Sequence, residues 1–297
     1  MTFQDSYAAK FAAESNWGHF LDHPVPLAGQ EDPTALLPWK GMTLQHRTTT
    51  AIDTTWNEIA ARINAFPYPT SDQCSEKHYQ DVFEFLRINR DVVDRVFECG
   101  VFHGGMSVLL AGCALAFDFC LDLIDVNPAA LQSTFHRIRR TFPEALPKIR
   151  IFLGEIPNYV KAVMQDSEFK NAILHHDGSH RFNTVVNDLS SLYFVRSNVH
   201  AILIQDTHLR HSDPANYCFV DAAVAAVFGV DPRYQPIGTT YPMDVYSPAI
   251  DWEKGTNDVY FLEGRPEGMI IPLAENRFLY PTSMHKIDDF IPFPAQG

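Results

Sequence analysis

Short apolar runs alternate with amphipathic segments between residues 90 and 265, and this alternation constrains the fold of the chain most. Each run has the length and the continuous hydrophobicity of a strand buried on both faces of a parallel sheet. Strand, helix and strand in succession form right-handed βαβ units, so the pattern predicts an α/β fold with a doubly wound, Rossmann-like mixed sheet. The runs are Val93–Cys99, Cys120–Ile124, Ile149–Leu153, Ala172–His176 and Val199–Gln205.

Helical signals fill the gaps between these runs. Asn127 and Pro128 supply a cap and a first-turn proline, and apolar residues then recur at helical spacing. Asp213-Pro214 predicts the start of a later helix that Gly229 would end. Two more helices are predicted at Met106–Phe117 and at residues 182–189.

The hydrophobic pattern and the proline content change twice along the chain, which predicts three parts. Residues 1–88 carry helical patterns broken by proline-rich loops and contain no run typical of a buried strand, so they are interpreted as a helical extension. Residues 89–265 hold the alternating pattern and form the predicted ligand-binding domain. Residues 266–297 are predicted to be a C-terminal strand and a tail packed on that domain.

Composition and charge argue against several partners. The chain has 23 Lys and Arg against 36 Asp and Glu, a net charge of −13, and no basic stripe that would neutralise nucleic-acid phosphates. No apolar stretch approaches the roughly 18–20 residues of a membrane span, and the first residues do not resemble a secretory signal. The 5 cysteines have no CxxC spacing, which favours free thiols. We therefore expect a cytoplasmic protein that binds neither nucleic acid nor membrane.

In a doubly wound sheet, ligands bind at the carboxyl ends of the strands. The first run contains Glu98 near its end and is followed by Gly100, Gly104 and Gly105, in the spacing G-x-x-x-G-G. Glycines at this point let the chain turn and let a ligand approach the N–H groups of a helix start. A tight strand–helix turn would explain them equally well, and the spacing is not the GxGxxG of dinucleotide enzymes.

Acidic residues follow the next two runs. Asp125 is suited to accept hydrogen bonds from two ribose hydroxyls, although a solvated loop aspartate is the alternative. Glu155 follows the third run and lies at the same predicted edge.

The fourth and fifth runs lead into the densest polar cluster of the sequence. Asp177 and His180 are three residues apart, and Asp206 follows Gln205 at the end of the next run. Because adjacent strands lie about 4.8 Å apart, Asp177 and Asp206 can reach one ion. Two carboxylates suit Mg²⁺, and a histidine beside that ion could remove a proton from a hydroxyl.

Structural roles are the alternative for these residues. His175 and His176 alternate across a strand, and one or both can be core histidines. Asp177 can be no more than a helix N-cap. Solvated loop positions are expected for His208, Arg210 and His211.

These motifs resemble those of class I S-adenosylmethionine-dependent methyltransferases over roughly residues 90–265. More narrowly, they are similar to the branch with metal-dependent O-methyltransferases of macrolide sugars and with cephalosporin hydroxylase-like or rhamnosyl O-methyltransferase-like proteins. The residues that carry the resemblance are the glycine-rich segment 98–105, Asp125, Asp177-Gly178-Ser179-His180 and Gln205-Asp206.

The resemblance implies a seven-stranded methyltransferase sheet, S-adenosylmethionine as cofactor, and methyl transfer to a hydroxyl of a small sugar or natural product. The glycines would line the methionine end of the cofactor and Asp125 would hold its ribose. The implied cofactor-binding residues are Glu98, Gly100, Gly104, Gly105, Ser107, Asp125 and Glu155.

The resemblance also implies a metal centre. Asp177 and Asp206 would bind Mg²⁺, and His180 would be the general base. This chain has Gln205 where metal-dependent relatives usually carry a second acidic residue. The amide oxygen of Gln205 can still ligate Mg²⁺, but the site loses one negative charge and should bind the ion more weakly.

Other readings stay open at this point. His175-x-Asp177 has the H-x-D pattern of mononuclear iron hydroxylases, which more often have all-β folds. A methyltransferase-like module that only binds a ligand or a partner chain is a second alternative. The N-terminal helices are interpreted as a lid and a candidate subunit interface of a homo-oligomer, with Trp17, Phe20 and Trp39 as candidate substrate-facing groups.

Overall fold

The structure is a computed structural model, and it describes residues 18–24, 53–66, 74–166, 170–211, 218–247 and 259–291. Within these residues, the main sheet has eight strands in the order β1-β4-β3-β2-β5-β6-β11-β8. Its strands are β1 (His19–Leu21), β2 (Arg95–Cys99), β3 (Cys120–Asp125), β4 (Ile149–Leu153), β5 (Ala172–His176), β6 (Val199–Gln205), β8 (Gln235–Thr240) and β11 (Pro266–Pro272).

The strand directions confirm the predicted doubly wound mixed sheet. The five strands from β2 to β6 are parallel, whereas β11 runs antiparallel between β6 and β8. Strands β4, β5 and β6 have the bounds that the sequence predicts. Strand β1 was not predicted, and it adds an antiparallel edge to β4.

Helices cover both faces of this sheet. They are α1 (Thr54–Ala65), α2 (Glu76–Ile88), α3 (Gly105–Phe117), α4 (Pro128–Thr141), α5 (Ile156–Tyr159), α6 (Phe182–Ser191) and α7 (Val220–Phe228). A π-helical turn at Val160–Met164 extends α5, and 3₁₀ turns span Pro143–Lys148, Leu192–Asn198, Leu273–Glu275 and Ile287–Phe290. None of the helices within the described ranges is long and apolar enough to cross a membrane.

Of the two predicted helix starts, the one at Asn127-Pro128 lies within the described residues and is confirmed. The Asn127 side chain accepts a hydrogen bond from the Ala129 N–H at 3.0 Å, and Pro128 is the first residue of α4. The predicted start at Asp213-Pro214 lies outside the described residues, and the described part of this region contains α7 at Val220–Phe228. Gly229 ends α7 as predicted.

The helices of the N-terminal extension that the structure describes pack into the main core. Trp56 and Ile59 of α1 and Tyr79 and Phe83 of α2 belong to the same buried cluster as the apolar side chains of α3. A Cβ on Gly112 of α3 would lie 2.9 Å from the Ile59 side chain, so the two helices are in close contact. The described extension therefore covers one face of the sheet. Trp17 and Trp39 lie outside the described residues.

A small second sheet follows the last parallel strand. Its strands are β7 (Leu209–His211), β9 (Val245–Ser247) and β10 (Val259–Phe261), with β10 in the middle and antiparallel to both neighbours. Strand β7 starts three residues after Asp206, so the second sheet is connected directly to the carboxyl end of β6.

A buried carboxylate ties the middle strands of the main sheet together. Asp122 of β3 is fully buried and accepts hydrogen bonds from Arg95 of β2 at 2.9 Å and from Arg150 of β4 at 2.6 and 2.8 Å. The Tyr159 hydroxyl of α5 donates to the same carboxylate. Each acceptor oxygen of Asp122 is thus used, as a buried charge requires.

We expect Asp122→Ala to destabilise the fold strongly, because it leaves two partly buried guanidinium groups without their anion. Breaking such a pair costs about 3 kcal/mol or more. The free energy of unfolding, measured by urea denaturation, tests this. Glu84→Ala is the control: it removes an exposed ion pair with Arg87 within α2 and should change stability by less than about 1 kcal/mol. Equal stability of both variants would contradict the role of Asp122.

Candidate functional site

The sheet reverses its winding between β2 and β5, and the ends of these strands meet in a close backbone contact. The Asp177 N–H donates to the Cys99 carbonyl at 2.8 Å. Gly100 has φ +83°, and a Cβ there would lie 2.1 Å from the Asp177 carbonyl oxygen. Only glycine fits this position, so the glycine turn after β2 and the start of the Asp177-Gly178-Ser179-His180 segment are fixed together.

A cavity of about 320 Å³ opens at this switch point. Ligands bind at this place in open α/β sheets. Its walls come from the glycine turn, from the ends of β5 and β6, and from the start of α2. The lining residues are Cys74, Tyr79, Glu98, Gly100, Val101, Phe102, His103, Gly105, Met106, Asp177, Gly178, His180, Gln205 and Asp206.

Asp177, His180 and Asp206 form one compact cluster in this cavity. The His180 Nε2 atom lies 3.0 Å from an Asp206 carboxylate oxygen and 3.7 Å from an Asp177 carboxylate oxygen. One ligand atom from each of the three residues lies within 4.8 Å of the others. Asp206 adopts φ +59°, a conformation rare for aspartate. Asp177 does not cap a helix, because the N-cap of α6 is Arg181.

The charges of this cluster are strongly coupled. Burial by itself would lower the pKa of His180, but the two neighbouring carboxylates outweigh it and raise that pKa well above its usual value. Burial raises the pKa of Asp177 to about 6. Burial also acts to raise the pKa of Asp206, yet His180 holds it below its usual value. Two acids and one imidazole at this distance can hold a cation or move a proton.

Gln205 lines the cavity, but its amide oxygen already has a partner. The Cys74 thiol donates to the Gln205 Oε1 atom at 3.2 Å, in a buried contact. Cys74 and Tyr79 come from the start of α2, so the sequence motifs of the βα region did not reveal them. Helical periodicity in the extension predicts a buried face there, but it does not say that this face ends at the cavity.

The remaining residues of the glycine segment are held by packing. Gly104 has φ +75°, and a Cβ there would lie 2.9 Å from the Thr134 side chain of α4. Ser107 is buried in the first turns of α3. Burial raises the pKa of Glu98 well above its usual value.

Asp125 and Glu155 lie at the same sheet edge but do not line the cavity. The Asp125 carboxylate accepts hydrogen bonds from the Val101 N–H at 3.0 Å and the Asn127 N–H at 2.8 Å. Burial raises the pKa of Asp125, whereas backbone hydrogen bonds from Asn127, Val101, Phe102 and Val126 act to lower it. Glu155 precedes α5, and burial together with Asp188 raises its pKa to about 7.

The histidines of the polar cluster have different roles. His175 and His176 point to opposite faces of the sheet, as predicted. His176 bonds to Asp188 at 2.9 Å, and the His175 ring lies 6.0 Å from that of His78, so both are core residues.

The residues after Asp206 differ from the prediction of a solvated loop. His208 is buried and stacks on Phe261 at 4.6 Å. Arg210 and His211 belong to β7, where Arg210 forms two hydrogen bonds with Asp221. The difference arises because the second sheet buries His208 and leaves Arg210 and His211 partly buried. Phe20 lies in β1 and packs edge-on against Phe152, away from the cavity.

No protein-family model matches the chain, and no curated protein matches it. Solved structures do. A TDP-rhamnose 3′-O-methyltransferase of calicheamicin biosynthesis, in apo form, is 13% identical, with 63% of this chain and 78% of that chain covered and a TM-score of 0.40. The O-methyltransferase TomG from Streptomyces achromogenes, of tomaymycin synthesis and in complex with S-adenosylmethionine, is 14% identical, with coverages of 71% and 91% and a TM-score of 0.43.

An O-methyltransferase from Bacillus cereus in complex with S-adenosylhomocysteine is 10% identical, with 74% of this chain and 91% of that chain covered and a TM-score of 0.44. None of these three similarities reaches 25% identity or a TM-score of 0.5. The functional assignment therefore depends on the site.

We expect Gly100→Ala to destabilise the protein more than Gly264→Ala. Both glycines have a positive φ, which costs a side chain about 1–2 kcal/mol, but a Cβ on Gly264 meets nothing within 4 Å. The clash with Asp177 should add about 1–3 kcal/mol at Gly100. Chemical denaturation of both variants measures the difference. Equal losses would show that the contact between β2 and β5 is not tight.

Proposed function

We propose that the protein is a class I S-adenosylmethionine-dependent methyltransferase that transfers a methyl group to a hydroxyl of a small molecule. The observation that carries the proposal is one cavity, at the switch point of the sheet, that joins a glycine turn to two carboxylates and a histidine. A sulfonium cofactor is positively charged, so an acidic sheet edge suits it. Orientation of the two reacting groups then supplies a large part of the rate.

The cofactor is assigned to the edge formed by β2, β3 and β4. Gly100, Gly105 and Glu98 line the cavity and would contact the methionine end. Asp125, the last residue of β3, would bind the ribose. The adenine would lie toward Glu155. Gly104 and Ser107 would support the turn and the first residues of α3 behind it.

The residues present fit a hard divalent cation. Asp177 and Asp206 offer carboxylate oxygens close together, and the cavity leaves room for water and substrate oxygens, as Mg²⁺ requires. Such an ion would lower the pKa of a bound hydroxyl. His180 would accept the hydroxyl proton at Nε2 once an ion bound by both carboxylates offsets the negative charge that raises the pKa of this imidazole. Gln205 lines the same cavity and is the third candidate ligand, through the lone pair of its amide oxygen that the Cys74 thiol does not use.

The acceptor is proposed to be a small hydroxylated molecule, such as a sugar or a natural product. A cavity of about 320 Å³ admits a compact group beside the methionine end of the cofactor. We further propose that the protein works in the cytoplasm, with the N-terminal residues as a cover for the site and a surface for self-association.

The geometry favours methyl transfer over the iron-hydroxylase alternative. A facial triad needs two histidines and one carboxylate around one ion. His175 is buried beside His78 and does not line the cavity, so it is not placed to form such a triad with Asp177 and His180.

Calorimetry with S-adenosylmethionine tests the cofactor assignment. We expect the wild type to bind, and we expect Asp125→Ala to weaken binding about 10-fold or more, because it removes charged hydrogen bonds to the ribose. Asp91→Ala, at the amino-terminal side of β2, is the matched control and should bind like the wild type. No heat with the wild type would refute the proposed function.

Binding of Mn²⁺, followed by electron paramagnetic resonance, tests the metal site without the need for an acceptor. Asp177→Asn and Asp206→Asn should each lower the affinity at least about tenfold, since each removes one charged ligand. The control is Asp244→Asn, which should have no effect. Asp244 is exposed, and its carboxylate accepts a hydrogen bond from the Glu263 N–H. If neither cavity variant differs from the wild type, the metal assignment is wrong, while methyl transfer by His180 alone would stand.

A further inference from the structure

A second group of metal-ligating side chains lies at the ends of β2 and β5, apart from the cavity. It consists of Cys99, His176 and Asp188, and one ligand atom from each lies within 4.8 Å of the other two. The exposed fractions of these residues are 8%, 1% and 3%. None of the three lines the cavity, so this group, the Cys99 cluster, is separate from the cluster that contains Asp177 and Asp206.

Two neighbouring strands and one helix build the Cys99 cluster. Cys99 is the last residue of β2 and pairs with His176, the last residue of β5. Asp188 belongs to α6, and one of its carboxylate oxygens lies 2.9 Å from the His176 Nε2 atom. Apolar side chains of α6 and of β5 share one buried core, which holds the helix against the strand.

The surroundings of the Cys99 cluster are negatively charged. His176 is the ion-pair partner of Asp188 among the residues that the structure describes, and a neutral imidazole does not cancel the charge of a buried carboxylate. Burial raises the pKa of the Cys99 thiol well above its usual value, and the carboxylates of Asp188, Asp125 and Glu155 raise it further. A cation bound among these groups would offset the cost of the buried negative charge.

A cysteine, a histidine and an aspartate could also form a catalytic triad, but the surroundings argue against a nucleophilic role. A reactive cysteine has a lowered pKa and is accessible to its substrate. The pKa of Cys99 is raised instead, and its side chain is buried outside the cavity. The arrangement therefore favours a bound ion over covalent chemistry.

We propose that Cys99, His176 and Asp188 bind a Zn²⁺ ion that connects β2, β5 and α6. Thiolate, imidazole and carboxylate are the ligands that zinc takes in proteins, and water can occupy the fourth tetrahedral position. Two atoms bound to such an ion at about 2.0 Å lie about 3.3 Å apart, so the contact of 2.9 Å between His176 and Asp188 has to open only slightly. On binding, the Cys99 thiol releases its proton to solvent and its sulfur bonds to the ion.

The zinc ion would stabilise the strand ends that carry the candidate site. Cys99 precedes Gly100 and His176 precedes Asp177, and the backbones of Gly100 and Asp177 are the ones in close contact at the switch point. The two clusters suit different metals, because thiolate favours Zn²⁺ or Co²⁺ whereas oxygen ligands favour Mg²⁺ or Mn²⁺. This inference goes beyond the proposed function and does not depend on it.

Cobalt substitution tests the zinc site. The protein is produced in minimal medium with Co²⁺ as the added transition metal, so that the ion is available while the chain folds. It is then measured in excess Mg²⁺, which competes for the oxygen ligands of the cavity. We expect about one Co²⁺ per chain and the near-ultraviolet charge-transfer band of a cobalt–thiolate bond. A folded wild type without this band would overturn the proposal.

Variants locate the ion. Cys99→Ser should abolish the band, and Asp188→Asn should weaken Zn²⁺ binding at least about tenfold in competition with a chromophoric chelator. Cys113→Ser, which replaces another buried cysteine, is the matched control and should keep the band, as should Asp206→Asn in the cavity. Circular dichroism checks that each variant is folded.

Two results would place the ion elsewhere and overturn the proposal. One is a band that persists in Cys99→Ser, and the other is a band that disappears in Asp206→Asn. If Cys99→Ser does not fold, Asp188→Asn decides, because an unchanged Zn²⁺ affinity would show that this carboxylate is not a ligand. Failure of the wild type to bind S-adenosylmethionine would instead refute the proposed function, so the two failures are distinguishable.

Discussion

The contact between Gly100 and the backbone of Asp177 is the constraint on which the site depends. At this point the ends of two parallel strands come so close that no side chain fits on one of them. The glycine turn, which would hold the cofactor, and the segment with Asp177 and His180, which would act on the acceptor, therefore cannot move independently. A reaction that needs two molecules aligned within one cavity gains from such a rigid connection, since positional freedom does not have to be lost at each turnover.

The buried aspartate within the sheet and the aspartates at the sheet edge differ in how their charges are neutralised. Asp122 lies in the middle of the sheet, and each of its oxygens accepts hydrogen bonds from arginine or tyrosine. Asp177 and Asp206 lie at the sheet edge, where His180 is the ion-pair partner of both among the residues that the structure describes. The same residue type therefore stabilises the fold within the strands and is available for chemistry at their carboxyl ends.

The sequence predicts the parallel strands well because their signal is local. Continuous apolar runs between caps and glycines are enough to locate β4, β5 and β6 to the residue. Strand β1 has three residues and becomes a strand only through its pairing with β4, so no local pattern predicts it. The three-stranded sheet likewise depends on pairing between distant segments. The sequence predicts a solvated His208, whereas the structure buries this residue.

In the candidate site, too, some features follow from local sequence and others depend on contacts between distant segments. Asp177, His180 and Asp206 could be placed together because the strand ends of a parallel sheet share one edge. The sequence could not indicate that Val101 and Asn127 occupy part of the Asp125 carboxylate, since hydrogen bonds of turns depend on their exact backbone path. It also could not reveal that Cys74 lines the cavity and contacts Gln205. That contact joins residues 131 positions apart and exists only after α2 has packed on the sheet.

The most direct test of the account is a crystal structure of the protein with S-adenosylhomocysteine and Mn²⁺. The account predicts the methionine part of the molecule against Gly100 and Gly105, the ribose at Asp125, and the ion between Asp177 and Asp206. Density for the nucleoside at any other place, or an ion bound away from both carboxylates, would contradict it.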